Sequence, residues 1–285
     1  MKILTLGTGF VSDHLPYPVI SDRLFPNETQ IGAILDKNAP DVLINCVGRT
    51  GTPNVDWCEN NKEATALANT IIPTIFATEC AKRNIHFIHI GSGCIFYGNS
   101  PHVVYGKSQV APYSDFAQCT GWQEDDFANP ESYYSKTKFS ADLLLGKMSN
   151  VSILRVRMPI SEKNNPRNLL NKLRQYSQVI DIPNSMTFMN DFVRCIDWAA
   201  KNSKTGIYHV TNPGTLTAAQ IMNEYKKYVP EHQFKVIDEN ALGSLTIAKR
   251  SNCLLNSNKL RDAGFIMTPA QEALEICMSN YVKNI

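Results

Sequence analysis

The sequence predicts an α/β protein with a doubly wound parallel sheet and a smaller, mostly helical C-terminal domain. Three observations support this fold. Short apolar segments of strand length alternate with segments of helical spacing, as in consecutive βαβ units. The first such segment, residues 2–6, runs directly into a glycine-rich turn. From about residue 214 the chain has mainly helical patterning, which indicates a second domain.

The composition is that of a soluble globular protein. The 285 residues, 43% hydrophobic and 19% charged, suffice for one large domain or two unequal ones. No stretch approaches the roughly 18 apolar residues of a membrane span, and the apolar N-terminal segment is too short for a signal peptide. The net charge of +2 arises from dispersed charges. We therefore expect a cytoplasmic protein without a nucleic-acid or membrane partner.

The eight cysteines include no Cys-x-x-Cys pair, so the sequence does not support a zinc site. Most are expected to be small buried side chains in a reducing compartment. Cys94, which follows a predicted strand, is the exception.

A glycine-rich turn follows the first predicted strand. Gly7, Gly9, Phe10 and Val11 belong to a G-x-G-x-x-S pattern, in which glycines allow close backbone approach and the next helix offers N–H groups to a pyrophosphate. We expect these four residues to bind a dinucleotide, although a plain strand-turn has the same pattern. Pro16 and a second proline two residues later limit the next helix to a stub.

The second strand is predicted over residues 19–23, where this type of fold distinguishes between its cofactors. Arg23 can face the 2′-phosphate of NADPH. Asp22 leaves NADH as an alternative, and Arg23 could equally be a solvated surface residue. We expect NADPH, with NADH possible.

The βαβ pattern continues to a strand that ends near two candidate catalytic residues. A helix over 31–35, a strand over 41–48 and a helix over 62–83, bent at Pro73, lead to a strand over 85–90. Ser92 and Cys94 follow it, at the carboxyl edge of the sheet where doubly wound folds bind ligands. The later segments are a lid or rim over 99–130, a strand over 151–156, a helix opened by 165–168, an extended segment over 179–182, a helix over 192–200 and a strand over 207–210.

Tyr134 lies four positions before Lys138, so both side chains share one face of a helix. A phenol with an ordinary pKa of about 10 is a poor acid near neutrality, and a nearby ammonium favours its ionised form. The pair predicts acid–base chemistry on a carbonyl or an alcohol. An amphipathic helix with a surface lysine is the simpler alternative.

These motifs resemble those of the extended short-chain dehydrogenases/reductases. More closely, the chain is similar to the epimerase/reductase half of plant-type UDP-rhamnose synthases. The likeness extends over nearly the whole chain, in residues 50–59, 93–96, 134–138, 155–160, 165–168, 181–187, 205–208 and 250–252. The shortened first helix and the long loop over 99–130 depart from the family pattern.

The resemblance implies a reductase triad of Ser92, Tyr134 and Lys138, of which Tyr134 and Lys138 also contact NADPH. It implies 3,5-epimerisation and 4-keto reduction of UDP-4-keto-6-deoxyglucose to UDP-β-L-rhamnose, with Cys94 and Lys172 as the epimerase pair. A thiol of ordinary pKa about 8.5 becomes a workable base when cations lower that pKa. The residues implied in substrate binding are Thr50, Asn54, Asn165, Arg167, Asn184 and Arg250.

The resemblance also implies a domain organisation and partners. The Rossmann-type NADP-binding domain comprises residues 1–160 and about 177–212, and the nucleotide-sugar domain comprises about 161–176 and 213–285. A homodimer through the helices at 62–83 and 134–145 is expected. The chain has no dehydratase segment, so a separate UDP-glucose 4,6-dehydratase is expected to supply the keto sugar.

Two alternatives stay open. A reductase without epimerase activity, similar to dTDP-4-dehydrorhamnose reductase, would act on a UDP or dTDP sugar, and Cys94 and Lys172 argue against it. A non-catalytic NADP-binding subunit, similar to the regulatory subunit of methionine adenosyltransferase, would share the fold. The complete set of Ser92, Tyr134 and Lys138 argues against that reading.

Overall fold

The computed structural model describes residues 1–20, 22, 24–98, 100 and 121–285. Two predictions fall outside these residues. One is the cofactor contact of Arg23, and the other is most of the lid or rim over 99–130.

In the part of the chain that the structure describes, the main sheet has six strands. The strands of the chain are β1 (Ile3–Leu6), β2 (Val19–Ile20), β3 (Val42–Asn45), β4 (His86–Ser92), β5 (Val151–Val156), β6 (Pro159–Ile160), β7 (Gln178–Ile180), β8 (Thr187–Phe188), β9 (Gly206–His209) and β10 (Lys235–Ile237). In the main sheet the order is β2-β1-β3-β4-β5-β9, and β1 pairs in parallel with β2 and β3, as β3 does with β4. β2 lies on one side of β1, and β3 and the later strands of this sheet lie on the other side. The carboxyl ends of β1 and β3 therefore form a topological switch point. The predicted doubly wound parallel sheet is confirmed.

Two smaller parallel sheets join β6 to β8 and β7 to β10. The helices are α1 (Glu28–Asn38), α2 (Asp56–Asn60), α3 (Lys62–Ala66), α4 (Ile72–Lys82), α5 (Tyr133–Leu145), α6 (Leu169–Leu173), α7 (Met189–Lys201), α8 (Ala218–Lys226), α9 (Glu239–Ser244), α10 (Asn258–Asp262) and α11 (Ala270–Tyr281). Among the described residues, none of these helices has the length and apolar character needed to cross a membrane. The short first helix is confirmed as a 3-10 turn, Ser12–His14.

The helix predicted over 62–83 is interrupted by a π-helical segment, Leu67–Ile71, between α3 and α4. Pro73 lies in the first turn of α4, where its missing N–H is tolerated. Within the π segment, Asn69 is fully buried and accepts the N–H of Arg49 (2.7 Å) while donating to Oγ1 of Thr137 (3.1 Å). The interruption therefore has a defined contact to the loop after β3 and to α5, as π segments often do at functional sites.

The chain divides into two compact units. The first unit comprises Met1–Ile95, Ala128–Arg155 and Val193–Tyr208, and the second comprises Phe96–Phe127, Val156–Phe192 and His209–Ile285. Of the described residues predicted to belong to the NADP-binding domain, 96–98, 100, 121–127, 156–160, 177–192 and 209–212 group with the second unit. This set includes both β6 and β8, which pair with each other. Which unit binds cofactor and which binds substrate stays a prediction.

Each unit has its own apolar core. In the first, Leu6, Leu43 and Phe87 from the main sheet pack with helix residues such as Leu35 and Phe76. The second core is built from β6, β7, β8, α6, α8 and α11. Burial of these side chains is the main favourable contribution to the stability of each unit.

Candidate active site

The glycine-rich turn lies at the switch point between β1 and β3. Gly7 has a φ of +85°, and a Cβ at this position would lie 2.8 Å from Cγ2 of Val47. The turn therefore requires glycine. Ser12, in the place of the third glycine, donates from Oγ to the carbonyl of Gly9 (2.9 Å) and closes the turn. The other two predicted loop residues are the buried Phe10 and the half-buried Val11.

The end of β4 carries the first two candidate catalytic residues. Ser92 is the last residue of the strand and is 3% exposed, and Cys94 lies in the 3-10 turn Gly93–Ile95. Oγ of Ser92 accepts the N–H of Cys94 (3.2 Å). Oγ of Ser135 donates to the carbonyl of Cys94 (2.7 Å), which ties this turn to the start of α5. The strand ends two residues later than predicted, so Ser92 belongs to the sheet itself.

Helix α5 places Tyr134 and Lys138 one turn apart on the same face. The helix begins after Ser132, whose side chain accepts the N–H of Ser135. Tyr134 is half-buried, whereas Lys138 is only 4% exposed. The alternative of a surface lysine is therefore wrong.

The ammonium group of Lys138 has a confined environment. Nζ donates to the carbonyl of Ile90 (2.8 Å) and lies 3.2 Å from Nε2 of His89. Burial lowers the pKa of Lys138 to about 8, although the Asp142 carboxylate acts in the opposite direction. A lysine whose pKa lies this close to neutrality is suited to proton transfer.

Sequence reasoning missed two polar residues beside Lys138. His89, within β4, and Asn45, the last residue of β3, are both fully buried. Nδ2 of Asn45 lies 2.9 Å from Nδ1 of His89. Neither residue belongs to a motif, and the available signal was a polar side chain in an otherwise apolar strand.

The second unit contains a cluster of three predicted residues, all positively charged. Lys172 lies in α6, which begins after Asn168, whose side chain accepts the N–H of Leu170. Burial, followed by repulsion from Arg167 and Arg250, lowers the pKa of Lys172 below the ordinary value. Such a cluster is suited to an anionic group, because an anion relieves the repulsion among the cations.

Asn165 and Asn184, both in the second unit, make contacts within it. Oδ1 of Asn165 accepts the N–H of Arg167 (2.9 Å). Asn184 is 2% exposed, and its Oδ1 accepts from Nη2 of Arg157 and from the N–H of Cys253. Its Nδ2 donates to Ile182 and to Asn252. The Asn184 amide already makes two hydrogen bonds through Oδ1 and two through Nδ2 within the protein. A contact between Asn184 and the substrate stays a prediction.

The other predicted substrate residues belong to the first unit. Thr50 is exposed in the loop after β3. Asn54 is half-buried, and its Oδ1 accepts the N–H of Asp56 at the start of α2 (2.8 Å). Whether either residue faces cofactor or sugar stays a prediction.

Comparisons with known proteins identify the family of this chain. The family model described as RmlD substrate binding domain matches residues 22–283. A bifunctional dTDP-4-dehydrorhamnose 3,5-epimerase/dTDP-4-dehydrorhamnose reductase of Arabidopsis thaliana is 35% identical over 259 residues, which cover 90% of this chain and 82% of the relative. A trifunctional UDP-glucose 4,6-dehydratase/UDP-4-keto-6-deoxy-D-glucose 3,5-epimerase/UDP-4-keto-L-rhamnose-reductase of the same plant is 33% identical over 90% of this chain, which spans 37% of that relative.

Solved structures share the fold along the whole chain. A UDP-rhamnose synthase from Acanthamoeba polyphaga mimivirus superposes with a TM-score of 0.87 and 26% identity, covering 98% of this chain and 99% of the viral one. A dTDP-4-dehydrorhamnose reductase from Bacillus anthracis, in complex with NADP, has a TM-score of 0.78 and 17% identity, with 99% of each chain covered. The second likeness is one of fold alone.

Proposed function

We propose that this chain uses NADPH to convert UDP-4-keto-6-deoxy-D-glucose into UDP-β-L-rhamnose. The chain belongs to the RmlD substrate binding domain family and is an oxidoreductase of the short-chain dehydrogenase/reductase type. The conversion combines inversion at C3 and C5 with reduction of the C4 ketone. The observation that carries the proposal is the buried Lys138, one helical turn from Tyr134 and with a pKa lowered to about 8. Buried lysines with such lowered pKa values are typical of functional sites.

The turn at Gly7 supports the assignment of a dinucleotide cofactor. Its positive φ and the close approach of Val47 require glycine at position 7. At Gly9, no described atom lies within 4 Å of where a Cβ would be, so the backbone there is open to a phosphate group. When bound, NADPH supplies the hydride. The nicotinamide and ribose would be held near Tyr134 and Lys138.

The reductive step needs a proton donor and a hydrogen-bond donor for the forming alkoxide. In our proposal Tyr134 gives its phenolic proton to the C4 oxygen, and Oγ of Ser92 hydrogen-bonds the same oxygen. Lys138 adjusts the acidity of Tyr134. These roles are consistent with the anchoring of α5 to the turn after β4 through Ser135 and Cys94.

Epimerisation requires removal of the acidic protons at C3 and C5 and their return on the opposite face. We assign the acid–base roles to the thiol of Cys94 and the amine of Lys172. Burial and the neighbouring cations lower the pKa of Lys172, which makes its proton easier to give up. Arg167 and Arg250 are assigned to the diphosphate of the substrate.

Proton exchange in D₂O tests the bifunctional proposal. With UDP-4-keto-6-deoxyglucose and no NADPH, the wild-type protein is expected to exchange the protons at C3 and C5, as followed by NMR, and to form the rhamnose product when NADPH is added. Cys94→Ala is expected to slow the exchange by about 100-fold or more. Cys46→Ala, at the other half-buried cysteine among the described residues, is the matched control.

Each outcome of this experiment is informative. NADPH consumption without exchange by the wild-type protein would identify a reductase alone. Exchange that survives in Cys94→Ala would remove Cys94 from the mechanism. Running the dTDP sugar in parallel decides the nucleotide, since the plant relative is named for dTDP and the viral one for UDP.

A second test addresses the cluster of positive charges. Arg250→Gln removes one cation, and a charge-assisted hydrogen bond of about 1.5–3 kcal/mol corresponds to a rise in KM for the nucleotide sugar of roughly 10- to 100-fold. KM for NADPH should not change. Arg261→Gln is the control, because this arginine is 52% exposed and pairs with Asp262. An unchanged KM for the sugar in Arg250→Gln would contradict the assignment.

The proposal includes a separate UDP-glucose 4,6-dehydratase that supplies the keto sugar, since the trifunctional plant relative carries that activity in its name. It also includes a homodimer through α4 and α5. Ile71, next to α4, and Leu143 and Leu144 on α5 are 45%, 53% and 54% exposed. Their exposure supports an apolar contact surface on the first unit.

Light scattering tests the dimer. The wild-type protein is expected to be a dimer at micromolar concentration, and Leu143→Asp with Leu144→Asp should make it a monomer, because the charges oppose burial of this surface. Leu245→Asp, at a 66% exposed leucine of the second unit, is the control. A monomeric wild-type protein would refute this part of the proposal.

A further inference from the structure

We propose that Asn45 and His89 form a buried hydrogen-bond relay that positions Lys138 and favours its uncharged amine form. Both residues are fully buried in the first unit. Asn45 is the last residue of β3, and His89 lies opposite it in the middle of the neighbouring strand β4. They act through Lys138 and are positioning residues. At one end of the relay the donor is a backbone N–H, whose role cannot change. The donor and acceptor of each further hydrogen bond follow from it.

The fixed end is a backbone amide. The N–H of Val47 donates to Oδ1 of Asn45 (3.0 Å), and a backbone N–H can only donate. The orientation of the Asn45 amide is therefore determined, and its Nδ2 must point to Nδ1 of His89 (2.9 Å). Since Nδ2 also only donates, Nδ1 of His89 is the acceptor. A neutral His89 then carries its proton on Nε2.

The other end of the imidazole faces Lys138. Nε2 of His89 lies 3.2 Å from Nζ of Lys138, and an ammonium has three donors and no acceptor. The Nε2–H of His89 therefore finds a partner only when Lys138 is an amine with a free lone pair. The amine keeps a proton for the carbonyl of Ile90 (2.8 Å). Burial, followed by repulsion from Lys138, lowers the pKa of His89 well below its usual value, in keeping with a neutral ring.

The other ionisable groups around Lys138 differ in how they affect its charge state. Asp142, one turn further along α5, favours the ammonium, but its carboxylate is bound by Nε of Arg155 from β5 (2.8 Å). Cys46, directly after β3, has a thiol whose pKa burial raises to about 12, so it carries no charge near neutrality. Tyr134 occupies the preceding turn of α5. Lys138 is thus placed between an acidic residue that favours the ammonium and a relay that favours the amine.

The relay has a consequence for the reaction, and this consequence rests on the proposed function. After Tyr134 has given its proton to the C4 oxygen, an ammonium at Lys138 can return a proton to the phenolate, which leaves phenol and amine. The Nε2–H of His89 stabilises that amine. Uptake of one proton from the bulk solvent, the proton that the reduction consumes overall, then restores the ammonium for the next turnover.

The tautomer of His89 in the intact wild-type protein tests the relay without substrate or cofactor. In protein labelled with ¹⁵N-histidine, two-bond ¹H–¹⁵N spectra identify the nitrogen that carries the proton, and His89→Gln assigns the signal among the six histidines. We expect the proton on Nε2 at neutral pH. A proton on Nδ1, or a charged ring, would overturn the proposal.

Asn45→Asp should reverse the donor and acceptor roles of the two His89 ring nitrogens in the relay. A carboxylate at this position accepts from both neighbours, so the His89 proton should move to Nδ1 and leave Nε2 as an acceptor for the ammonium. The pKa of Lys138, followed at its Cε by ¹³C NMR and assigned with Lys138→Met, should rise by about one unit or more. The basic limb of the kcat profile should move with it. Asn202→Asp, at an exposed asparagine of the first unit, introduces the same charge as a control.

The outcomes separate this inference from the proposed function. A reversed tautomer with an unchanged Lys138 pKa would refute the coupling between His89 and Lys138. If Asn45→Asp does not fold, the wild-type tautomer still decides. The expected tautomer in a protein without keto-reductase activity would overturn the proposed function and leave the relay standing.

Discussion

Replacing Tyr134 by phenylalanine is expected to lower kcat for the 4-keto reduction by about 10²–10⁴-fold, the usual contribution of a positioned proton donor. The substitution removes one oxygen atom from a half-buried side chain and keeps the ring. Binding of NADPH should be little changed, because the ring at position 134 is kept and the other assigned cofactor residues, Lys138 and the glycine turn, are untouched. Steady-state kinetics together with a fluorescence titration of NADPH measure both quantities.

Tyr133→Phe is the matched control, since it removes the same atom at the preceding position of α5. The ring of Tyr133 contacts Nζ of Lys62 at 5.7 Å from its centroid, and phenylalanine keeps such a contact. Exchange of the C3 and C5 protons should persist in Tyr134→Phe, because epimerisation is assigned to other residues. A kcat within a few-fold of the wild-type value would remove Tyr134 from its assigned role.

Lys138→Met is expected to abolish keto reduction and to stabilise the protein at neutral pH. The shift of the Lys138 pKa from 10.5 to about 8 corresponds to about 3 kcal/mol of unfavourable free energy for keeping the ammonium buried. Part of this gain is lost because the carbonyl of Ile90 loses its donor and Asp142 loses a neighbouring cation. We expect a net increase in the free energy of unfolding of about 1–3 kcal/mol at pH 7.

The difference in the free energy of unfolding between Lys138→Met and the wild-type protein should change with pH in a defined direction. Below pH about 8 Lys138 is charged in both the folded and the unfolded state, so the wild-type protein bears the full cost of burial. Between about 8 and 10.5 the unfolded state binds more protons than the folded state, and the stability of the wild-type protein rises with pH. The advantage of Lys138→Met should therefore be largest below pH 8 and should shrink above it.

Denaturant unfolding at several pH values measures this difference. Lys136→Met, two residues earlier on the exposed side of α5, is the control and should change stability little. A destabilised Lys138→Met protein across the whole pH range would show that the buried ammonium is not a cost to folding. Such a result would also weaken the interpretation of Lys138 as a proton-transferring group.

The motifs with local causes were predictable from the sequence. The tight turn at Gly7, the stub limited by Pro16, and the face shared by Tyr134 and Lys138 all follow from residues close together in the chain. The doubly wound parallel sheet also followed from the βαβ pattern, because such connections have few possible topologies.

Features created by distant residues were not predictable. The burial of Lys138 arises from packing of α5 on β4, and nothing in the helix pattern distinguishes it from a solvated lysine. Asn45 and His89 are 44 positions apart, so their pairing has no local signal. The cluster around Lys172 brings together residues from 167 to 250. The roles of these residues were inferred only through family resemblance.

The π segment at Leu67–Ile71 limits which changes in length this chain can tolerate. A π turn holds about one residue more than an α turn, so deleting one residue there would restore a regular helix and shift the residues of the segment relative to their contacts. Asn69 and Thr70, which donate to the side chain and the backbone of Thr137, respectively, could not both keep their partners. Insertions and deletions should therefore be rare in this helix among functional descendants, even at exposed positions.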